Sequence, residues 1–306
     1  MKVDNVKKDE SMGSMKSTNA LMDGYIDLLE ERMEGTVNYI ESGYKDLDEC
    51  FGAWLHEEHL IVVAGRPGMG KTSFAGQLAE KISEERSVLF FSLEMSSLEL
   101  LERSISRRSR VDVQTLKKGE FTDDEFIACS KAINDVSQLN LFLDDGVFDI
   151  DTIVKKTKKI KKTFDEDKGR KKVGLVIVDY LQMINAQSKN LNKTLEIGYI
   201  STELKKLAKE VKVPVIALAQ LNRGLEQRPD KRPVMSDLRD SGQIEQDADS
   251  IFFIYRDDVY NSDSSDKGIA EIICGKNRHG PRGTVKMGFG GKRVEFRNLI
   301  REMRDD

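Results

Sequence analysis

A glycine-rich stretch of this chain has the residue types and spacing of a phosphate-binding loop. It fits the pattern G-x-x-x-x-G-K-[ST] at every fixed position, as Gly65-Arg66-Pro67-Gly68-Met69-Gly70-Lys71-Thr72. In such a loop the glycines let backbone N–H groups turn inward onto the α- and β-phosphates, and the next helix directs its positive dipole end at them. The lysine reaches the β- and γ-phosphates, and the threonine hydroxyl can ligate Mg²⁺. We therefore predict that Gly65–Ser73 bind a nucleoside triphosphate together with Mg²⁺.

A strand must precede this loop and a helix must follow it. His59–Ala64 is a short apolar run, and Ser73–Ile82 carries apolar residues at helical spacing. Apolar runs and helical stretches then alternate, which predicts an α/β fold whose mainly parallel sheet is flanked by helices. The predicted strands of this part are Leu60–Ala64, Val88–Ser92, Leu141–Leu143, Leu175–Asp179 and Val213–Ala219. Three later runs predict antiparallel hairpins that extend the sheet, namely Ile251–Tyr255, Ala270–Cys274 and Thr284–Phe289.

Three predicted strands lead into polar side chains that could complete a hydrolytic site. One strand ends at Asp179, which could hold the water shell of Mg²⁺, although an aspartate that only caps a loop is the alternative. Glu94 follows a second strand and is a candidate base for the attacking water, and a solvated glutamate at a strand end accounts for it equally well. Gln220 follows a third strand. Its amide could bind the γ-phosphate, or it could be a simple polar residue at the strand end.

Composition limits the class of protein. The 306 residues are 39% apolar and 33% charged, which gives room for one large α/β domain with appendages or for two small domains. No apolar stretch approaches the roughly 18–20 residues that span a bilayer, and the N-terminus has no signal-peptide pattern. Cys50, Cys129 and Cys274 are too widely spaced for a zinc set or a disulfide framework, so we expect a cytoplasmic protein. The net charge of −4 argues mildly against nucleic acid, but the charges lining a groove can differ from the total.

The N-terminal region divides into two parts. Residues 1–19 are polar without periodicity, and we predict that they are disordered. Residues 20–35 are predicted to form a helix, because Leu21, Tyr25 and Leu28 begin an apolar stripe that continues to Met33. This stripe must be buried, either on the main domain at 36–306 or on a neighbouring subunit, and the pattern alone leaves both open.

Six segments of the chain, taken together, resemble one known family. They are Gly65–Thr72, Ser92–Met95, Val178–Gln182, Ala219–Arg223, Asp230–Pro233 with Ser236–Asp249, and Gly275–Pro281. In this order they are similar to the RecA-like P-loop ATPase domain of the replicative hexameric DNA helicases of the DnaB type. The resemblance covers roughly residues 36 to 298, and its most specific segment is Arg239–Asp249.

The resemblance implies an ATP-hydrolysing DNA helicase that forms a ring, translocates 5′ to 3′ on single-stranded DNA and separates the strands. It implies that Lys71, Thr72 and Asp179 bind the ATP phosphates and Mg²⁺. It further implies that Glu94 is the catalytic glutamate and that Gln220 senses the γ-phosphate.

Three more residues receive roles from the resemblance. Arg103 is implied to stack on the adenine, which suits a guanidinium plane and predicts loose base selectivity. Lys276 and Arg278 are implied to reach the γ-phosphate of a neighbouring subunit. Residues i and i+2 of an extended strand project to the same side, which makes this plausible, and a solvated basic hairpin is the alternative reading of the residues alone.

The DNA contact is implied to lie in the central channel of the ring. The resemblance assigns it to Arg239, Asp240 and Gly242, which would bind the backbone without regard to base sequence. The family usually carries glutamate where this chain has Asp240. Four further basic residues are predicted to make the channel positive, namely Arg223, Arg228, Lys231 and Arg232.

The resemblance also implies partners. It predicts a homo-oligomer, a hexameric ring closed by docking of the 20–35 helix on the adjacent subunit, with a helicase loader and a primase as further partners. The family's N-terminal collar domain is expected to be absent from this chain, and so are functions that need it. Two alternatives remain open: a nucleotide-switched ring that binds single-stranded DNA without unwinding, and a RecA-like recombinase that forms open filaments. Lys276, Arg278 and the Arg239–Asp249 segment favour the helicase.

Overall fold

The computed structural model describes residues 17–33, 39–147, 149–186 and 193–299. The chain divides into two compact units, Met1–Asn38 and Tyr39–Asp306. In the first unit, helix α1 spans Thr18–Met33, so it begins two residues before the predicted helix at 20–35. Residues 1–16 and 34–38 lie outside the described part of the chain. Thr18 and Asn19 lie in α1, so the disordered tail predicted at 1–19 would end before them. The tail itself, the end of the 20–35 helix and its docking on a neighbour stay predictions.

The second unit is built on a mixed sheet of nine described strands. The strands are β1 (Leu60–Gly65), β2 (Ser87–Ser92), β3 (Leu141–Asp144), β4 (Val173–Asp179), β5 (Val215–Gln220), β6 (Ser250–Tyr255), β7 (Ile269–Asn277), β8 (Thr284–Gly290) and β9 (Glu295–Asn298). The helices are α2 (Lys45–Phe51), α3 (Lys71–Ser83), α4 (Ser97–Ser109), α5 (Val113–Lys118), α6 (Asp123–Ser137), α7 (Ile150–Glu166), α8 (Lys193–Val211) and α9 (Gly242–Asp247).

The strand order β3-β2-β4-β5-β1-β6-β7-β8-β9 confirms the predicted α/β class. Strands β1 to β6 pair in parallel, and β7, β8 and β9 add the antiparallel part. The predicted antiparallel hairpins are confirmed, because β6 pairs antiparallel with β7 and β7 pairs antiparallel with β8. On its other side β6 also pairs in parallel with β1, which the sequence analysis did not predict. Every residue of β6 is buried, and an apolar run of this kind does not encode the direction of its partner.

Helices cover both faces of the sheet, so its central strands are apolar throughout. Val62 and Ala64 of β1 lie in the core formed with α7, α8 and α9. Ile61 and Val63 lie in the opposite core, which contains α2, α3 and the C-terminal strands. Alternate residues of a strand face opposite sides, so a strand buried on both sides needs apolar residues at every position.

The helix α4, which carries one predicted site residue, begins where its sequence provides a cap. The Ser96 hydroxyl accepts from the N–H of Glu99 (3.2 Å), and the Glu99 carboxylate accepts from the N–H of Ser96 (3.0 Å). This reciprocal pair satisfies two backbone donors at the helix start. Among the described residues, none of the helices has the length and apolar character needed to cross a membrane.

Candidate functional site

The carboxyl ends of the parallel strands bring several predicted residues to one edge of the sheet. Gly65 at the end of β1 is the register partner of Gln220 at the end of β5. Ser92 at the end of β2 is the partner of Asp179 at the end of β4. Glu94 follows two residues after Ser92. In open α/β sheets this edge is where ligands bind, so the loop, the two acids and the glutamine share one candidate site.

The phosphate loop has a backbone that requires glycine. Gly68 and Gly70 have φ angles of 80° and 99°, in the left-handed region that side chains disfavour. A Cβ atom on Gly70 would lie 3.0 Å from the ring of Phe296 on β9. Helix α3 begins at Lys71, directly after this turn, so its first N–H groups lie beside the loop. Pro67 and Gly68 form the exposed part of the loop, and Met69 is buried in the core.

The Lys71 ammonium lies over the loop that precedes it. Its Nζ donates to the backbone oxygen of Arg66 (3.3 Å). Burial lowers the pKa of Lys71, while the negative charges of Asp179 and Glu94 raise it. The ammonium is therefore close to both carboxylates and available to a bound phosphate.

Asp179 is a buried carboxylate with open coordination positions. The residue is 0% exposed, and neither carboxylate oxygen has a hydrogen-bond partner within the standard distance among the described residues. Burial raises the pKa of Asp179 to about 6, and the nearby Thr72 hydroxyl lowers it. Carboxylate and hydroxyl oxygens are ligands that Mg²⁺ accepts, so this pair fits a magnesium ion.

We predict that Asp179→Asn stabilises the free protein at neutral pH. Folding raises the pKa of this carboxyl from 3.8 to about 6. The cost in stability of keeping a buried carboxylate charged therefore appears as the pH rises through that window, and it is fully present above it. At pH 7.5 the free energy of unfolding of the asparagine variant should therefore be about 1–3 kcal/mol higher than that of the unaltered chain, and the difference should vanish near pH 4. Urea unfolding at both pH values measures this.

The same variant should lose the effect of Mg²⁺ on nucleotide affinity, because the amide supplies a weaker metal ligand. Asp263→Asn, at an exposed loop position, is the matched control and should change neither quantity. An Asp179→Asn protein that is less stable than the unaltered chain at pH 7.5 would contradict the prediction.

Glu94 is exposed at the same edge, and its negative charge acts on the ionisable groups beside it. Its negative charge raises the pKa of Asp179, Lys71 and Tyr180. The turn that presents it is held by Ser92, whose hydroxyl donates to the backbone oxygen of Met95 (2.6 Å). A carboxylate that is open to water and close to the phosphate-binding groups can act as a general base.

Arg103 lies between the phosphate loop and a neighbouring cleft. Its guanidinium donates to the hydroxyl of Ser73 (3.3 Å) at the start of α3. The side chain also lines a cleft of about 440 Å³ together with Met95, Gln114 and Lys292. Burial lowers the pKa of Arg103. This position suits a planar cation that contacts the base of a nucleotide whose phosphates lie on the loop.

The Arg66 side chain is directed away from the nucleotide positions of the loop. Its Nε donates to Glu226 (2.8 Å), and another guanidinium nitrogen donates to the backbone oxygen of Leu221 (2.8 Å). The residue is buried. The inclusion of Arg66 among the nucleotide-binding residues is therefore limited to its backbone, and its side chain ties the loop to the segment after β5.

Gln182 is a residue near the site to which the sequence analysis gave no role. Its amide nitrogen donates to the backbone oxygen of Gln220 (3.0 Å), and its amide oxygen accepts from the backbone N–H of Gln220 (3.2 Å). The two bonds fix the end of β5. In the sequence, only its position shortly after strand β4 could have pointed to Gln182, and a polar residue in such a place is too common to be diagnostic.

Lys276 and Arg278 lie at the opposite edge of the sheet from the phosphate loop. Asn277, between them, pairs with Ser250 at the start of β6, and Ser250 pairs with Ile61 near the start of β1. Gly65 is four residues further along β1, which separates the pair from the loop by roughly 13 Å along the strands. The two cations are therefore placed away from their own chain's phosphate site.

Both cations rest on the C-terminal end of α9. Lys276 donates to the backbone oxygens of Glu245 (2.5 Å) and Ala248 (2.6 Å), and Arg278 donates to that of Gln246 (2.6 Å). Cations are favoured at a helix C-terminus, where the last carbonyl groups lack partners within the helix.

The segment assigned to DNA contact is helical. A 3₁₀ helix spans Met235–Ser241 and continues into α9, whose first residue is Gly242. The side chains of Arg239 and Asp240 lie outside the described part of the chain, so their contact with DNA stays a prediction.

Two of the basic residues predicted to make the central channel positive are paired with acids instead. Arg228 donates two hydrogen bonds to Asp237 (3.1 and 2.9 Å), and Arg232 donates two to Glu271 (2.8 and 2.7 Å). Both acids are buried. A buried carboxylate needs a matched cation, and the sequence spacing of 9 and 39 residues between partners gave no sign of it.

Comparison with known proteins identifies one family. Residues 39–298 match the family described as DnaB-like helicase C terminal domain. The chain is 47% identical over 276 residues to the replicative DNA helicase DnaB of Haemophilus influenzae, covering 88% of this chain and 58% of the relative. It is 43% identical over 311 residues to the DnaB of Pasteurella multocida, covering 98% of this chain and 65% of the relative. The chain thus spans less than two thirds of either relative.

Solved structures agree with this assignment. One, described as an ATPase domain, has a TM-score of 0.83 and 36% identity, and the match covers 92% of this chain and 100% of that one. A DnaB-like replicative helicase, described with its interactions with primase, has a TM-score of 0.83 and 37% identity, and the match covers 93% of this chain and 68% of that one. The predicted resemblance and RecA-like fold are confirmed: this chain belongs to the DnaB-like helicase C terminal domain family.

Proposed function

We propose that this chain is the motor of a replicative DNA helicase, which hydrolyses ATP between identical subunits and translocates 5′ to 3′ on single-stranded DNA. The observation that carries the proposal is the placement of Lys276 and Arg278 at the sheet edge opposite the phosphate loop. A neighbour related by a head-to-tail contact could present these cations to the loop, and repetition of that contact closes a ring when the rotation per subunit returns to its start. We infer a hexameric ring from the family.

The chemistry assigned to the site uses its own residues in distinct roles. Asp179 and Thr72 would hold Mg²⁺, which when bound neutralises phosphate charge. Lys71 stabilises the negative charge of the β- and γ-phosphates. Glu94 accepts the proton of the attacking water, and the Gln220 amide donates to the γ-phosphate.

Loss of the γ-phosphate can be transmitted from Gln220 to the DNA-binding segment through short contacts. Asn222, two residues after Gln220, donates its backbone N–H to the backbone oxygen of Asp237 (3.1 Å). Asp237 lies in the 3₁₀ helix Met235–Ser241. The Arg66 bond to Leu221 ties the phosphate loop to the same segment. These links support coupling between hydrolysis and DNA contact at Arg239, Asp240 and Gly242.

Partners follow from the same proposal. We infer that the α1 helix docks on the adjacent subunit, and that single-stranded DNA occupies the channel. The structural relative described with its interactions with primase supports a primase as partner, and a helicase loader is inferred from the family alone.

We predict that ATPase activity rises cooperatively with protein concentration and is stimulated by single-stranded DNA. The reason is that a site completed by a neighbour requires assembly, and DNA in the channel orders the subunits. Steady-state ATPase across protein concentration, with and without a homopolymeric oligonucleotide, measures this. Specific activity that is flat in concentration would contradict the proposal.

A forked-duplex unwinding assay under the same conditions separates the motor from a nucleotide-switched binding ring. The motor separates the strands with ATP and fails with a non-hydrolysable analogue. Binding to single-stranded DNA without unwinding would support the switch module instead.

A further inference from the structure

The three histidines of this chain lie together, although they are far apart in sequence. The rings of His59 and His279 stack with centroids 4.5 Å apart, and the rings of His56 and His59 are 4.9 Å apart. Asp249 lies beside two of them. One ligand atom from each of His59, Asp249 and His279 falls within 4.8 Å of the others. The proposed hydrolytic chemistry uses none of the histidines.

We propose that His59, Asp249 and His279 form a binding site for a divalent transition-metal ion of the Zn²⁺ class. Two imidazole nitrogens and one carboxylate oxygen are a donor set that Zn²⁺ and Co²⁺ bind, with remaining positions left for water. Ligand atoms around such an ion are roughly 3.3 Å apart, so the cluster must contract by up to about 1.5 Å. His279 is exposed on the turn after β7, and rotation of its side chain can supply this movement.

His59 is a ligand held in place with an unsatisfied ring nitrogen. The residue is 8% exposed, and its Nδ1 has no hydrogen-bond partner among the described residues. Its backbone is fixed on both sides, since its N–H donates to the oxygen of His56 (3.2 Å) and its oxygen accepts from Val215 (2.9 Å). A buried polar atom without a partner is costly, and a metal ion bound at this nitrogen would satisfy it.

Asp249 has one oxygen engaged and one available. Its Oδ2 accepts from the backbone N–H of Leu60 (2.8 Å) and from Lys205 (2.6 Å). Its Oδ1 is 3.7 Å from the guanidinium of Arg278. A metal ion on Oδ1 would therefore compete with Arg278 for the same carboxylate, and each cation should weaken the binding of the other.

Metal binding can be measured on untagged, nucleotide-free protein with Co²⁺ and Zn²⁺ as probes. Excess Mg²⁺ blocks the oxygen-ligand site at Asp179. We expect about one Co²⁺ per chain with visible d–d absorption of a low-coordinate ion, displaced by Zn²⁺. His279→Ala, at an exposed position, should lower the affinity by at least about tenfold without changing the unfolding temperature. His56→Ala is the matched control, because this third histidine is outside the ligand set, and it should bind as the unaltered chain does.

The competition with Arg278 provides a second test, in which metal binding is expected to become tighter instead of weaker. Arg278→Ala should bind Co²⁺ several-fold more tightly, because removing a cation next to the carboxylate removes repulsion. General damage to the region would weaken binding instead. The proposal is overturned if His279→Ala binds like the unaltered chain or if neither metal binds. It is also overturned if a thiolate-to-cobalt band appears and is lost in Cys274→Ser, which would place the ion on cysteine.

Discussion

Replacing Glu94 by glutamine is expected to lower the ATPase rate by about 10²–10⁴-fold while ATP still binds. The amide has the same size as the carboxylate but cannot accept a proton from water at neutral pH. Glu94 is exposed, so its replacement leaves the core unchanged. Its charge also lies close to Asp179, and removing it reduces the repulsion felt by a bound triphosphate. ATP affinity should therefore be unchanged or higher.

Single-turnover hydrolysis measures the rate, and titration with a fluorescent ATP analogue measures binding. Glu120→Gln, in an exposed turn before α6, is the matched control and should hydrolyse at the unaltered rate. A Glu94→Gln rate within about threefold of the rate of the unaltered chain would show that Glu94 is not the general base but a solvated residue at a strand end.

Arg278→Ala is expected to lower turnover by about 10³–10⁵-fold, the range found for arginine fingers in phosphoryl transfer. The side chain is 46% exposed, donates to one carbonyl oxygen at the end of α9 and lies 3.7 Å from Asp249, so its loss should change the unfolding temperature little. ATP should still bind, because the residue lies at the edge opposite its own phosphate loop. The defect is thus predicted in the catalytic rate of the assembled protein.

Arg282→Ala is the matched control, because Arg282 is exposed on the same turn and the substitution removes the same positive charge. It should retain most of the activity. Size-exclusion chromatography with light scattering separates a catalytic defect from failure to assemble. An Arg278→Ala protein that assembles and hydrolyses ATP at the unaltered rate would show that the cation belongs to a solvated hairpin.

Much of the fold could be predicted from local patterns. The start of α4 can be read from the sequence, because Ser96 and Glu99 form a capping box there. The ends of the buried strands were predictable because Asp179 interrupts an apolar run. The parallel pairing of β6 with β1 was not predictable, because parallel and antiparallel neighbours both accept an apolar strand that is buried throughout. Strand β9, with two exposed residues out of four, gave no apolar run to detect.

The candidate site was predictable where chemistry requires particular residues at fixed spacing. The loop from Gly65 to Thr72 and the acid Asp179 are of this kind. Contacts between distant parts of the chain were not predictable. Arg66 looks like a loop residue in the sequence, and its bond to Glu226 spans 160 positions. His59 and His279 likewise meet only because β1 and β7 flank β6.

A mixing experiment tests most directly the claim that each site is completed by its neighbour. Glu94→Gln and Arg278→Ala subunits are each expected to be nearly inactive alone. In a ring formed from an equal mixture, roughly a quarter of the interfaces join an intact Glu94 to an intact Arg278.

If catalysis acts across subunit interfaces, the mixture should regain a substantial part of the ATPase rate. A mixture of Glu94→Gln with the double variant Glu94→Gln/Arg278→Ala should stay inactive, because no interface has an intact Glu94. Recovery in the first mixture alone is the result we predict. Absence of recovery in mixed rings, with subunit exchange verified by fluorescence energy transfer, would contradict catalysis across the interface.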